Sequence, residues 1–277
     1  MLLLEVLQHT VRITVLVFLM MVVIDFIDVK TRGRLRQLVK GGNWRQYTTA
    51  SLLGATPGCL GAFMNVTLYI HGFLTFGAIV AGMIATSGDE AFVMLAQFPK
   101  QALLLFGILF VLAIPLGWLS DLVARALHIR PCEDCELHEI HADESVRGHY
   151  LKEHVWNHIL RRHIWRVFLW TFLALLFVNL GLQYWQLEGF IREHLGLVLI
   201  LSVLVGIIPE SGPHLVFVMM FANGLIPFSV LLASSIAQDG HGLLPLLSYT
   251  VRDTFLIKSF NVGAALLVGG IAYALGW

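Results

Sequence analysis

Long apolar stretches dominate the chain, and short polar clusters cut them at recurring places. Val11 to Val29 is the first apolar stretch, of the length a bilayer crossing needs, about 20 residues. Thr49 to Ile70 is apolar but interrupted at Pro57-Gly58. Phe73 to Ala85 and Ala91 to Phe98 are shorter apolar pieces separated by Thr86-Ser-Gly-Asp-Glu90. Gln101 to Leu119 is again long enough to span. A polar segment, Asp121 to Arg162, follows. The pattern then returns: Ile164 to Tyr184, Leu195 to Ala222, Ile226 to Ala237 and Leu243 to Leu275. This predicts an all-α polytopic membrane protein with Gly/Pro-broken helices or re-entrant hairpins.

The sharpest interruption is Gly206-Ile-Ile-Pro-Glu-Ser-Gly-Pro-His214, between two almost purely aliphatic stretches. Proline removes a backbone donor and clashes with the preceding turn, so a helix must break there. Inside a bilayer such a break is tolerated only where protein or a water-filled cavity satisfies the freed backbone groups.

The break has a counterpart at an offset of 152 residues: Gly206 falls on Gly54 and Pro209 on Pro57. The register continues without a gap through Gly224 on Gly72, Phe228 on Phe76, Ala233 on Ala81, Gly240 on Gly88 and Arg252 on Lys100. Upstream, Val155 to Arg161 falls on Val6 to Arg12 at an offset of 149. The chain therefore reads as a membrane repeat over 1–125, a polar linker over 126–162, and a second membrane repeat over 163–277. Lys30 to Arg45 holds six Lys or Arg and no acid, whereas the matching loop Gln186 to His194 has one Arg and two Glu. Basic loops stay cytoplasmic. The expectation is an inverted-topology pair, with the N-terminus outside and the linker cytoplasmic.

Composition agrees: 57% of the 277 residues are hydrophobic and 13% charged, with a mean hydropathy of +0.79. A formal net charge of zero leaves no basic field for nucleic acid. The N-terminus lacks a basic n-region and a small-residue cleavage site, so the first apolar segment reads as an uncleaved spanning helix. Three cysteines, Cys59, Cys132 and Cys135, make no disulfide framework.

Ionisable residues inside such stretches mark functional sites by default. Asp89, Glu90, Glu210, His214, Asp239 and His241 all fall at helix breaks. Ser87 with Glu90 also has the spacing of a capping box. Pro213 suits a first helical position, which would put His214 in the first turn. Carboxylate plus imidazole suits a divalent ion such as Mn, Fe or Zn. Both groups also serve proton coupling. Asp25, Cys59, Asn65, Ser87, Ser211, Gln238 and Asp253 are secondary candidates, with His71, Asn261, Lys100 and Arg252 behind them. Asn65-Val-Thr67 matches a glycosylation sequon but lies in a membrane stretch. Asp253 beside Arg252 reads most simply as a local ion pair. In the linker, Cys132, Cys135, His138 and His141 recur every three residues, a plausible zinc set. That segment reads as metal-collecting or as a solvated charged loop.

Three motifs, Thr86-Ser-Gly-Asp-Glu-Ala-Phe92, Ile208-Pro-Glu-Ser-Gly-Pro-His214 and Ser235-Ile-Ala-Gln-Asp-Gly-His-Gly242, resemble the ten-transmembrane heavy-metal exporter family. Its members are also called arsenic efflux proteins or manganese transporters. The resemblance implies a metal or metalloid exporter of the cell membrane. The residues themselves favour a divalent cation, because an arsenic species would more naturally seek thiols. The expectation is a secondary transporter that needs no cofactor, carries its metal as cargo, sits among lipids and is compatible with a homo-oligomer. A membrane enzyme or lipid-handling protein would use the same carboxylates and histidines. Matching breaks in both halves favour the transporter over such an enzyme.

Overall fold

The computed structural model describes residues 3–4, 6–15, 18–19, 42–70, 72–128, 165–184, 187–240 and 242–277. Their regular structure is helical, with no strand among them. Residues 6–15 form part of a first helix. The remaining helices are α1 (Asn43–Gly54), α2 (Leu60–Ile70), α3 (Phe76–Ile84), α4 (Glu90–Gln97) and α5 (Pro99–Ala126), followed after the linker by α6 (Trp165–Tyr184) and α7 (Leu187–Glu193). Then come α8 (Leu195–Val205), α9 (Leu215–Ala222), α10 (Phe228–Ala237), α11 (Leu243–Tyr249) and α12 (Val251–Ala274).

The helices α1 to α5 recur as α8 to α12, at the offset already legible in the sequence. Their packing recurs too. The triplet α1, α3 and α5 forms one bundle, and α8, α10 and α12 form the matching bundle. Between the halves, α2 packs on α11 and, reciprocally, α9 packs on α4. Such an exchange of partners is what a two-fold relation produces. Matched bonds close α2 and α9: Gly72 N donates to Tyr69 O and Phe73 N to Leu68 O, each at 2.9 Å. Gly224 N to Phe221 O and Leu225 N to Met220 O repeat them, also at 2.9 Å.

Small residues let the long helix of each half approach its broken neighbour. A Cβ on Gly117 would lie 2.7 Å from both Ala81 Cβ and Gly77 O. On Gly269 it would lie 2.5 Å from Ala233 Cβ, the residue matched to Ala81. Close approach at small residues is a main source of helix association in lipid, where hydrophobic drive is missing.

The long helices α5 and α12 are apolar and long enough to cross a membrane. At 28 residues, α5 extends about 42 Å at 1.5 Å per residue, more than the roughly 30 Å hydrocarbon layer. Leu103, Leu104 and Val111 on α5, and Val251, Phe255 and Leu267 on α12, are exposed. Buried positions instead include Thr86, Ser87, Asp89, Glu90, Gln238, Asp239 and Lys258. An apolar exterior around buried polar and charged groups suits lipid rather than water.

The short pieces α3 and α4 both pack on α5, and α10 and α11 both pack on α12, as successive pieces of a broken helix do. The apolar stretch Leu243 to Leu275 divides at Thr250, which matches the Phe98 junction of the first half. Thr250 Oγ1 accepts from Asp253 N at 3.3 Å and restarts the helix.

Neighbouring glycines of α12 provide a test. Gly269→Ala should destabilise by about 1–3 kcal/mol through overpacking. A Cβ on Gly270 meets nothing within 4 Å, so Gly270→Ala should be neutral or gain up to about 1 kcal/mol in helix propensity. Thermal unfolding of the detergent-solubilised variants would read both.

Candidate functional site

All four helix breaks meet at one place. Residues 85–89 link α3 to α4, and 238–242 link α10 to α11. Their apices are Gly88, at φ +57°, and Gly240, at φ +53°. Only glycine takes this left-handed conformation without strain. The two glycines also lie backbone against backbone. A Cβ on Gly88 would be 3.5 Å from Gly240 Cα, and one on Gly240 would be 3.3 Å from Gly88 Cα.

Gln238 staples the two apices. Its Nε2 donates to Thr86 O at 2.8 Å, and its Oε1 accepts from Gly240 N at 2.7 Å. The break after α1 joins through Gly58 N, which donates to Gly88 O at 3.0 Å. The break after α8 joins through Ser211, whose Oγ would lie 2.7 Å from a Cβ on Gly88 and 3.3 Å from one on Gly240.

The second half places a charge pair at this junction. Asp239 is fully buried. Lys258 Nζ on α12 forms an ion pair with Asp239 Oδ2. It also donates to Gly206 O at 2.7 Å and Ala237 O at 3.0 Å. Asn261, one helical turn further along α12, donates from Nδ2 to Asp239 Oδ1 at 2.5 Å. Both carboxylate oxygens of Asp239 therefore have partners.

The first half is built differently. The positions matching Asp239, Lys258 and Asn261 are Ser87, Phe106 and Leu109. The carboxylates here are Asp89 and Glu90, both buried. Cys59 Sγ donates to Asp89 Oδ1 at 3.1 Å. Glu90 Oε2 has no hydrogen-bond partner, and neither do the nearby Ser87 and Ser211 hydroxyls. His214 is buried too. Its Nδ1 meets Ser234 Oγ at 3.1 Å, while its Nε2 has no partner.

Several expected residues take other roles. The capping box at Ser87 does not form: α4 starts at Glu90 after Asp89, with no side-chain cap bond. His214 is the residue before α9 rather than part of its first turn, because the helix begins only at Leu215. Glu210 is half-buried. Asn65 donates to Ala50 O at 2.9 Å and serves packing. Asp253 turns inward to accept from Tyr69 OH at 2.7 Å, joining α12 to α2, whereas Arg252 and Lys100 are exposed. Asp25, His71, His241, Cys132, Cys135, His138 and His141 lie outside the described residues. Among the described residues, no three His, Cys, Asp or Glu side chains converge as metal ligands.

Lys258 is the site residue that sequence reasoning missed. Its signal was present: a single lysine between Leu256-Ile257 and Phe260, deep in an apolar spanning stretch. Removing one member of a buried pair strands the other charge and typically costs about 3–5 kcal/mol. Lys258→Met should therefore lower thermal stability sharply. The double variant Asp239→Asn/Lys258→Met should recover part of that loss, the remainder reflecting Gly206 O and Ala237 O, which still lack their donor. A double-mutant cycle by thermal unfolding in detergent measures the difference.

A family model described as "Putative, 10TM heavy-metal exporter" matches residues 3–188 and 164–276. No curated protein and no solved structure matches the chain. The two matched stretches take in nearly all of the sequence, including every helix break that meets at the junction. A helical membrane protein matched over this extent belongs to the ten-transmembrane heavy-metal exporter family.

Proposed function

We propose that the chain is an ion-gradient-coupled secondary transporter that exports a divalent metal of the Mn, Zn or Fe type from the cytoplasm. The cargo binds near the membrane midplane, where the four breaks meet. One observation carries this reading. Buried Glu90 has an oxygen without a partner, beside Asp89 and two unpartnered hydroxyls. A buried carboxylate oxygen left unmade costs free energy that a native fold normally avoids. A bound cation would recover it.

Asp89 and Glu90 supply the charge in this scheme. Ser87, Ser211 and freed backbone carbonyls supply neutral oxygens, and His214 Nε2 supplies a nitrogen. An oxygen-rich donor set favours Mn over softer metals. Because the described carboxylates and histidines do not already converge on one point, the site closes around its cargo during the cycle. Asp239 takes no part while Lys258 holds it.

An odd number of crossings in each half, three with re-entrant hairpins or five, would run two halves of one fold in opposite directions through the membrane. That supports alternating access by one half rocking against the other. It also supports an external N-terminus and a cytoplasmic linker in the cell membrane. The chain carries no nucleotide-binding motif, so a proton or ion gradient drives export.

The test is metal flux into proteoliposomes under an imposed pH gradient, comparing Mn, Zn, Fe, Co and Cd. One divalent ion should be carried. Glu90→Gln and Asp89→Asn should each reduce its flux at least about tenfold, equivalent to 1.4 kcal/mol. Cys59→Ser should leave the flux nearly intact, since the thiol's contact is with Asp89. Absence of metal flux from folded protein under every gradient would sink the exporter mechanism. Flux of an arsenic species that depends on Cys59 would replace the divalent cargo.

A further inference from the structure

The environment of Lys258 Nζ resembles an ion site more than an ordinary salt bridge. An ammonium has three N–H donors, and here three oxygens take them: Gly206 O, Ala237 O and Asp239 Oδ2. The two carbonyls have a common origin. Gly206 is the residue just after α8, and Ala237 is the last residue of α10. Both carbonyls are freed because their helices stop inside the protein. Both also lie at the negative end of a helix dipole. Freed carbonyls at half-helix C-termini, completed by other oxygens, form the kind of ligand set that holds an alkali cation in broken-helix transporters. The set carries one negative charge, from Asp239, and so balances a monovalent cation.

We propose that Lys258 is a tethered cation filling an alkali-cation site at the second pair of breaks. The charge that a dissolved sodium or potassium ion would bring is supplied by the chain itself. The site is confined to one half, because Phe106 and Leu109 occupy the positions matched to Lys258 and Asn261. Phe106 and Leu109 are buried and apolar, so the first half has neither the ammonium nor the amide. The second half is thereby permanently charge-compensated, and the first half keeps its carboxylates for an external cation. The inference rests on the geometry around Nζ alone and is independent of which metal is carried.

Shortening the side chain should open the site. The full-length protein, wild type and Lys258→Ala, would be melted in detergent at constant ionic strength. The salts would be choline, sodium, potassium and methylammonium chloride. The wild type should melt at one temperature in all four. Lys258→Ala should melt lowest in choline. Sodium, potassium or methylammonium should raise its Tm saturably, as expected for a ligand that binds only the folded state. Lys258→Ala/Asp239→Asn should lose that response. A purely structural salt bridge predicts no cation dependence in Lys258→Ala, and that result would overturn the proposal. So would saturable stabilisation of the wild type by sodium. If Lys258→Ala can be purified only with one of the small cations present, the proposal is supported. If it folds in none of the four salts, the proposal fails. Because the readout needs no transport, its failure would leave the exporter mechanism standing, and absence of metal flux would leave this test unaffected.

Discussion

A helix that stops inside a bilayer leaves amides and carbonyls that water cannot reach, and those groups must find partners within the protein. Four such stops occur here, and the fold brings them together so that they satisfy one another. Lys258 takes Gly206 O and Ala237 O. Gln238 takes Thr86 O, and Gly58 N finds Gly88 O. The contact of Gly88 with Gly240 is what permits this. A side chain at either apex would be strained at its positive φ, and at Gly88 it would also press on Ser211 Oγ.

The two halves repeat in backbone but diverge in chemistry. Each has a long helix seated on its broken neighbour at a glycine, Gly117 or Gly269. Their polar networks differ. In the first half Asp121 accepts from Tyr47 OH at 2.6 Å, Thr75 Oγ1 at 2.8 Å and Gly77 N at 2.6 Å, closing the start of α3. In the second half, Ser229 N, matched to Gly77, instead donates to Trp277 O at 3.3 Å. At the centre the second half has an ammonium–carboxylate pair, and the first has two carboxylates without a matching lysine. A duplicated scaffold thus presents one compensated break and one acidic break to the same small space.

This divergence explains why an acidic residue at a break does not by itself mark a ligand. Asp239 and Glu90 look equivalent in the sequence, each in a short polar cluster between apolar stretches. In the fold Asp239 has both oxygens occupied, while Glu90 Oε2 has no partner. The difference comes from α12, which brings Lys258 and Asn261 from 19 and 22 residues further along the chain.

The sequence by itself determined the membrane class, the positions of the breaks and the internal repeat. These follow from local properties: apolar length, proline and glycine chemistry, and a register constant over a long span. It also located Asp89, Glu90, Ser211, His214 and Gln238 at the breaks. Only the tertiary structure decided which breaks touch, and so which polar atoms are satisfied. The capping box at Ser87 was locally well formed, but α4 starts only at Glu90, with Asp89 before it, so Ser87 is not its cap. The ion pair suggested by Arg252-Asp253 gave way to a contact with Tyr69, from a helix 184 residues away in sequence. Satisfaction of a buried polar group depends on what packs against it from distant elements, and no local pattern in the chain encodes that.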